Sequence, residues 1–98
     1  MSDPFARQSL VRASDIELKR TCYACPEQYD AFLGGGQVGY LRLRHGYFSV
    51  DVPDAGGDTI YDADIGPVGG DIGIFTEEER ELQLWAARQS IADWLNGR

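Results

Sequence analysis

The sequence predicts an α+β fold: an antiparallel meander of four to five strands with one C-terminal helix packed on one face. Two observations support this prediction. Residues 39–52 alternate apolar and polar side chains on both sides of a two-residue turn. Residues 76–97 instead repeat their apolar side chains at helical spacing. A chain of 98 residues that is 43% hydrophobic is long enough for one small core and too short for two.

The central hairpin is predicted from the turn His45-Gly46, because glycine adopts positive φ without steric cost and histidine is among the few other residues enriched there. Alternation then pairs Leu43 with Phe48 and Leu41 with Val50 on an apolar face. The opposite, polar face carries Tyr40, Arg42, Arg44, Tyr47, Ser49 and Asp51. Turn and alternation together set the register.

Further strands are predicted at 16–23, 27–33 and 59–63, with Gly34–Gly36 as the turn before residue 37. In the first strand, Ile16, Leu18 and Cys22 are expected on the core side, which Arg20 interrupts. Residues 64–74 are predicted to form an irregular, glycine-rich connection.

The C-terminal helix is predicted to begin after Thr76, which forms a capping box with Glu79, and to end at Asn96-Gly97. Its apolar stripe should cover the apolar face of the sheet. The expected stripe is Leu84, Ala87, Ile91 and Leu95, flanked by Trp85, Ala92 and Trp94.

The chain is predicted to have a flexible tail over residues 1–14 and a single domain over residues 15–98. Residues 1–10 lack the basic start and apolar core of a signal peptide, and the chain contains no run of apolar residues long enough to span a bilayer. We therefore expect a cytoplasmic protein that does not contact membranes.

Acidic residues are concentrated in one segment. The chain has a net charge of −7, and residues 46–79 carry nine of the 16 acidic residues and no lysine or arginine. This charge argues against direct nucleic-acid binding and predicts a protein partner with a basic surface. The segment can equally be interpreted as solvated loops followed by a helix N-terminus, where acids are favoured.

The predicted partner-binding surface combines this acidic segment with the polar face of the hairpin, where two guanidinium groups alternate with two phenols. Alternatively, Arg42 and Arg44 pair internally with Asp51, Asp30 or Asp62. The predicted site residues are Asp51, Asp54, Asp58, Asp62, Asp64, Asp71, Tyr40, Arg42, Arg44 and Tyr47.

The two cysteines, Cys22 and Cys25, form a C-x-x-C pair with only His45 as a further soft ligand. Structural zinc takes four ligands, so no metal site is predicted, although this pair is the candidate if one exists. No cofactor is expected, and no nucleophile stands beside a base, so we predict a non-enzymatic protein. The alternative is a small-ligand or zinc-binding domain using the Arg/Tyr face or the cysteine pair.

Leu82 is predicted on the exposed side of the helix, with both tryptophans at the margins of the buried stripe. Exposed leucines are common on protein surfaces. Together with Trp85 or Trp94, however, Leu82 could also form a homodimer or partner contact.

The stretches 37–53 and 57–61, with Glu78-Glu79-Arg80 at the helix start, resemble short uncharacterised proteins of phage and other mobile-element genomes. The resemblance covers residues 28–95. It implies an accessory protein that binds and inhibits a host macromolecule, in the manner of an anti-CRISPR protein or a nucleic-acid mimic. It implies no catalytic residues.

Overall fold

The computed structural model describes residues 10–23, 27–65 and 75–97, and in them the predicted α+β class is confirmed. Five strands form one antiparallel sheet in the order β1-β2-β3-β4-β5. The elements are a 3-10 helix (Ala13–Asp15), β1 (Glu17–Cys22), β2 (Glu27–Leu33), β3 (Gly36–Arg44), β4 (Tyr47–Val52), β5 (Asp58–Asp64) and α1 (Glu77–Asn96).

The predicted register of the central hairpin is confirmed. Leu43 pairs with Phe48 and Leu41 with Val50, and all four side chains are buried. The turn has positive φ at both residues, 54° at His45 and 77° at Gly46. The hairpin register therefore follows from local chemistry.

Helix α1 begins at the predicted capping box. The Thr76 hydroxyl accepts from the Glu79 amide at 3.2 Å, and the Glu79 carboxylate accepts from the Thr76 amide at 2.9 Å. Its buried residues are Ala87, Ile91 and Ala92, whereas Leu84, Leu95 and Trp94 are partly buried against the core. The helix thus covers the apolar face of the sheet.

A glycine allows this close packing of α1. A Cβ atom added to Gly39 on β3 would lie 2.7 Å from Cδ1 of Ile91. A larger residue at position 39 would force the Ile91 side chain to move within a filled core.

The first strand contains an irregularity that the sequence did not predict. The register of β1 shifts between Arg20 and Cys22, so Arg20 pairs with Tyr29 and Cys22 pairs with Gln28. The part-buried positions of β1 are still Leu18, Arg20 and Cys22, which alternate with exposed residues.

The chain before β1 packs against the end of α1. Val11 donates its amide to the Asn96 side chain at 2.8 Å and accepts from it at 2.8 Å, while Ala13 and Ile16 are buried. The packed part of the domain therefore starts earlier than residue 15, and residues 1–9 of the predicted tail lie outside the described chain. None of the described helices is long and apolar enough to cross a membrane.

Candidate functional site

The face of the sheet opposite α1 brings together most of the residues predicted to bind a partner. We call it the open face, and it consists of the outward residues of β2 to β5. Three rows cross it: Tyr40 with Asp51 and Thr59, Arg42 with Ser49 and Asp62, and Arg44 with Tyr47 and Asp64. Basic residues thus lie on β3, three acidic residues lie on β4 and β5, and Asp30 on β2 pairs with Tyr40 on the same face.

Neutral donors orient two of these carboxylates. The Tyr47 hydroxyl donates to Asp62 at 2.8 Å, and the Thr59 hydroxyl donates to Asp51 at 2.7 Å. The bond to Asp62 raises the pKa of the Tyr47 hydroxyl. Because both donors are uncharged, they position the carboxylates without neutralising them.

The internal pairing of Arg42 and Arg44 is not observed: within residues 10–23, 27–65 and 75–97, neither guanidinium has an ion pair or a side-chain hydrogen bond. The register explains this, because the cross-strand neighbours of Arg42 are Gln28 and Ser49. The Asp30 carboxylate accepts instead from Nε2 of the Gln37 side chain, at 3.2 Å. Both guanidinium groups are therefore available to a ligand or partner.

The loop between β4 and β5 contains Asp54, and Asp58 follows this loop as the first residue of β5, paired with Val52. Both residues are exposed, and the Gly57 amide donates to the Asp54 carbonyl at 3.0 Å. A Cβ atom at Gly57 would lie 2.1 Å from the Val52 carbonyl oxygen, so only glycine fits this turn. Predicted site residue Asp71 lies outside the described chain.

The cysteine pair is described only in part. Cys22 is a free thiol, and Cys25 lies outside the described residues. His45 is exposed at its turn. In the part of the chain that the structure describes, no group of three or more His, Cys, Asp or Glu side chains could hold a metal ion.

The sequence did not predict a buried ionic cluster around Glu27, whose side chain lies under the start of α1 and is 1% exposed. Its carboxylate accepts from the Phe75 amide at 2.9 Å, from Arg80 Nε at 2.8 Å and from the Tyr29 hydroxyl. Arg20 Nη2 lies 3.5 Å from the same carboxylate. Arg20 on the core side of β1 was the one signal in the sequence, because a buried guanidinium requires a carboxylate partner.

The cluster favours the deprotonated form of Glu27 and the protonated form of Tyr29. Burial raises the pKa of Glu27, but hydrogen bonds from Arg80, Tyr29 and the Phe75 amide outweigh it, so the pKa is below its ordinary value. Burial and the hydrogen bond to Glu27 raise the pKa of Tyr29 to about 12. Since protein donors already surround the Glu27 carboxylate, we interpret the cluster as structural: it joins β1, β2 and α1.

Comparisons of the chain with protein-family models, with curated proteins and with solved structures find no match. The resemblance to phage and mobile-element proteins therefore stays a prediction.

We expect the Glu27 cluster to make stability depend on pH. The folded pKa of Glu27 lies below its unfolded value of about 4.5, so its contribution is present above that pH and is lost as pH falls through the folded pKa. Urea unfolding from about pH 7 to about pH 3 should show a steeper loss of stability for the native chain than for Glu27→Gln. Parallel curves for the two proteins would contradict this assignment.

Proposed function

We propose that this protein is a non-enzymatic interaction protein whose open face binds a protein with a basic surface. The observation that carries the proposal is the sharing of one sheet face by Asp51, Asp62 and Asp64; two further exposed acids, Asp54 and Asp58, lie in and next to the loop that joins β4 to β5. Carboxylates in this arrangement attract a basic groove over a distance set by the Debye length.

Arg42 and Arg44 restrict the orientation in which a partner can bind the open face. They lie on β3, with three acidic residues on β4 and β5 to one side and only Asp30 on β2 to the other, so the open face is basic along β3 and most acidic on the side of β4 and β5. A partner must match both regions, and such complementarity contributes specificity and association rate more than affinity. On this proposal the protein inhibits a host macromolecule by occupying the basic groove in which that macromolecule holds nucleic acid.

The free guanidinium groups also support a second candidate function, the binding of a small anionic ligand. Arg42 and Arg44, with Tyr40 beside them, can supply charge-assisted hydrogen bonds and a stacking surface. This candidate depends on the basic side of the open face alone, so substitutions distinguish it from protein binding.

The test is a tagged pull-down from a lysate of the organism that encodes the protein, read by mass spectrometry. We expect a nucleic-acid-handling protein to be retained at low salt and released at about 1 M salt, where the Debye length is about 3 Å. Reversal to lysine of Asp54, Asp58, Asp62 and Asp64 together should abolish retention. Retention that is insensitive both to salt and to this reversal would contradict the proposal.

Two single variants with the same charge change separate the effect of the open face from the effect of net charge. Asp64→Lys changes the open face, whereas Asp93→Lys makes the same charge change on α1. Affinity for the captured partner should fall about tenfold in the first and change little in the second. Loss only in Arg42→Gln and Arg44→Gln would instead place the partner's contact on the basic strand of the open face.

A further inference from the structure

A second exposed surface lies on helix α1, on the opposite side of the sheet from the open face. Leu82 is 67% exposed and Trp85 is 50% exposed, one turn apart on α1. Trp85 and Arg88 lie where two depressions of about 910 Å³ and about 590 Å³ adjoin, the second extending to β1 and Phe32. We call the larger depression the helix groove; its lining includes Glu77, Glu78, Glu81, Leu82, Leu84 and Trp85.

The helix groove has a net negative lining. Glu77, Glu78 and Glu81 have no ion pair within the described ranges. Of the two arginines in the lining, Arg80 is paired with Glu27, to which its Nε donates at 2.8 Å, whereas Arg88 Nε donates to the neutral Ile16 carbonyl at 3.1 Å and keeps its positive charge. Exposed apolar side chains therefore lie beside three unpaired glutamates and one arginine.

We propose that the helix groove binds a segment of another protein that presents apolar side chains flanked by lysine or arginine. Apolar side chains would cover Leu82 and Leu84, and the cations would meet the glutamates of the lining and the face of the Trp85 ring. Aromatic residues in such grooves often dominate binding energy.

A second copy of the chain fits the helix groove less well. It would bring a molecule of net charge −7 against a lining that is already negative. Trp94, the other tryptophan considered for a homodimer, packs against the core and is partly buried. Charge complementarity thus favours a basic partner, and this proposal is independent of the one for the open face.

The probes are two synthetic amphipathic peptides of equal length, with leucine at helical spacing and either lysine or glutamate at the polar positions. The lysine peptide should bind the full chain and shift the NMR signals of Leu82 and the Trp85 indole. The glutamate peptide should bind at least about tenfold more weakly. Equal binding of both, or no binding of the lysine peptide, would overturn the proposal.

Variants locate the binding. Trp85→Ala and the double variant Glu78→Gln/Glu81→Gln should each weaken the lysine peptide about tenfold, and the double variant should also reduce the salt dependence. Trp85, Glu78 and Glu81 are all exposed, and thermal unfolding checks that the variants fold. Asp93→Asn, on the same helix but not in the groove lining, is the matched control and should bind normally.

Two other results would refute the proposal. Peptide-induced shifts that fall on the open face would show general attraction to an acidic protein. A concentration-dependent dimer in analytical ultracentrifugation that Trp85→Ala abolishes would assign the helix groove to a second copy. Neither result affects the open-face proposal, whose variants lie on the other side of the sheet.

Discussion

Glu27→Ala is expected to lower the free energy of unfolding by about 3 to 5 kcal/mol. The substitution leaves the Arg80 guanidinium and the nearby Arg20 without their buried carboxylate. It also leaves the Phe75 amide without an acceptor. Since small domains are stable by about 5 to 15 kcal/mol in total, this single change should remove a large share of the stability.

Urea unfolding followed by circular dichroism measures this effect, with Glu17→Ala as control. Glu17 lies at the start of β1 and is exposed, so its removal should change stability little. Glu27→Gln should lie between the two, because glutamine keeps an acceptor but loses the charge. Equal stability of Glu27→Ala and Glu17→Ala would contradict the structural role of the cluster.

A paired substitution tests the cause of the loss. Glu27→Met/Arg80→Met removes a buried charge pair together and fills the space with apolar atoms, which often restores stability. Here we expect only partial recovery, because Arg20 and the Phe75 amide still lack the carboxylate. Full recovery would show that the unpaired Arg80 alone accounts for the stability lost in Glu27→Ala.

Phe48→Ala should cost about 3 to 5 kcal/mol through the cavity that it leaves. Phe48 is fully buried on β4 and contacts Phe75 edge-to-face, with ring centroids 5.1 Å apart. Its ring also meets Tyr61 at 6.1 Å. Because Phe75 directly precedes the N-cap of α1, loss of Phe48 weakens the packing of the helix start as well as the core of the sheet.

Thermal unfolding of Phe48→Ala and Phe48→Leu measures this contribution. The leucine variant should lose less stability, because it leaves a smaller cavity. Ser49→Ala is the control, since Ser49 is the next residue on β4 and faces the opposite side of the sheet. If Phe48→Ala unfolds at the same temperature as Ser49→Ala, the assigned core is wrong.

The elements that could be predicted from the sequence are those whose causes are local. His45-Gly46 selects its turn, alternation pairs Leu41 with Val50, and Thr76 with Glu79 starts the helix, all within a few residues. The hairpin register also predicted correctly that Arg42 and Arg44 lie on the face opposite Phe48.

Tertiary structure decided what depends on distant residues. The register of β1 shifts after Arg20, so that Cys22 pairs with Gln28, and one extra residue in a strand leaves no clear signal in composition or alternation. Arg42 has no carboxylate partner because its cross-strand neighbours on β2 and β4 are Gln28 and Ser49.

The fold class, the hairpin register and the start of α1 were thus determined by the sequence itself, because turn geometry, alternation and capping act between near neighbours. The Glu27 cluster was decided only by the tertiary structure. Glu27 and Arg80 are 53 positions apart, and their pairing requires both the sheet and the docked helix. A buried charge is stable only where folding brings its partners together, and no local pattern specifies that place.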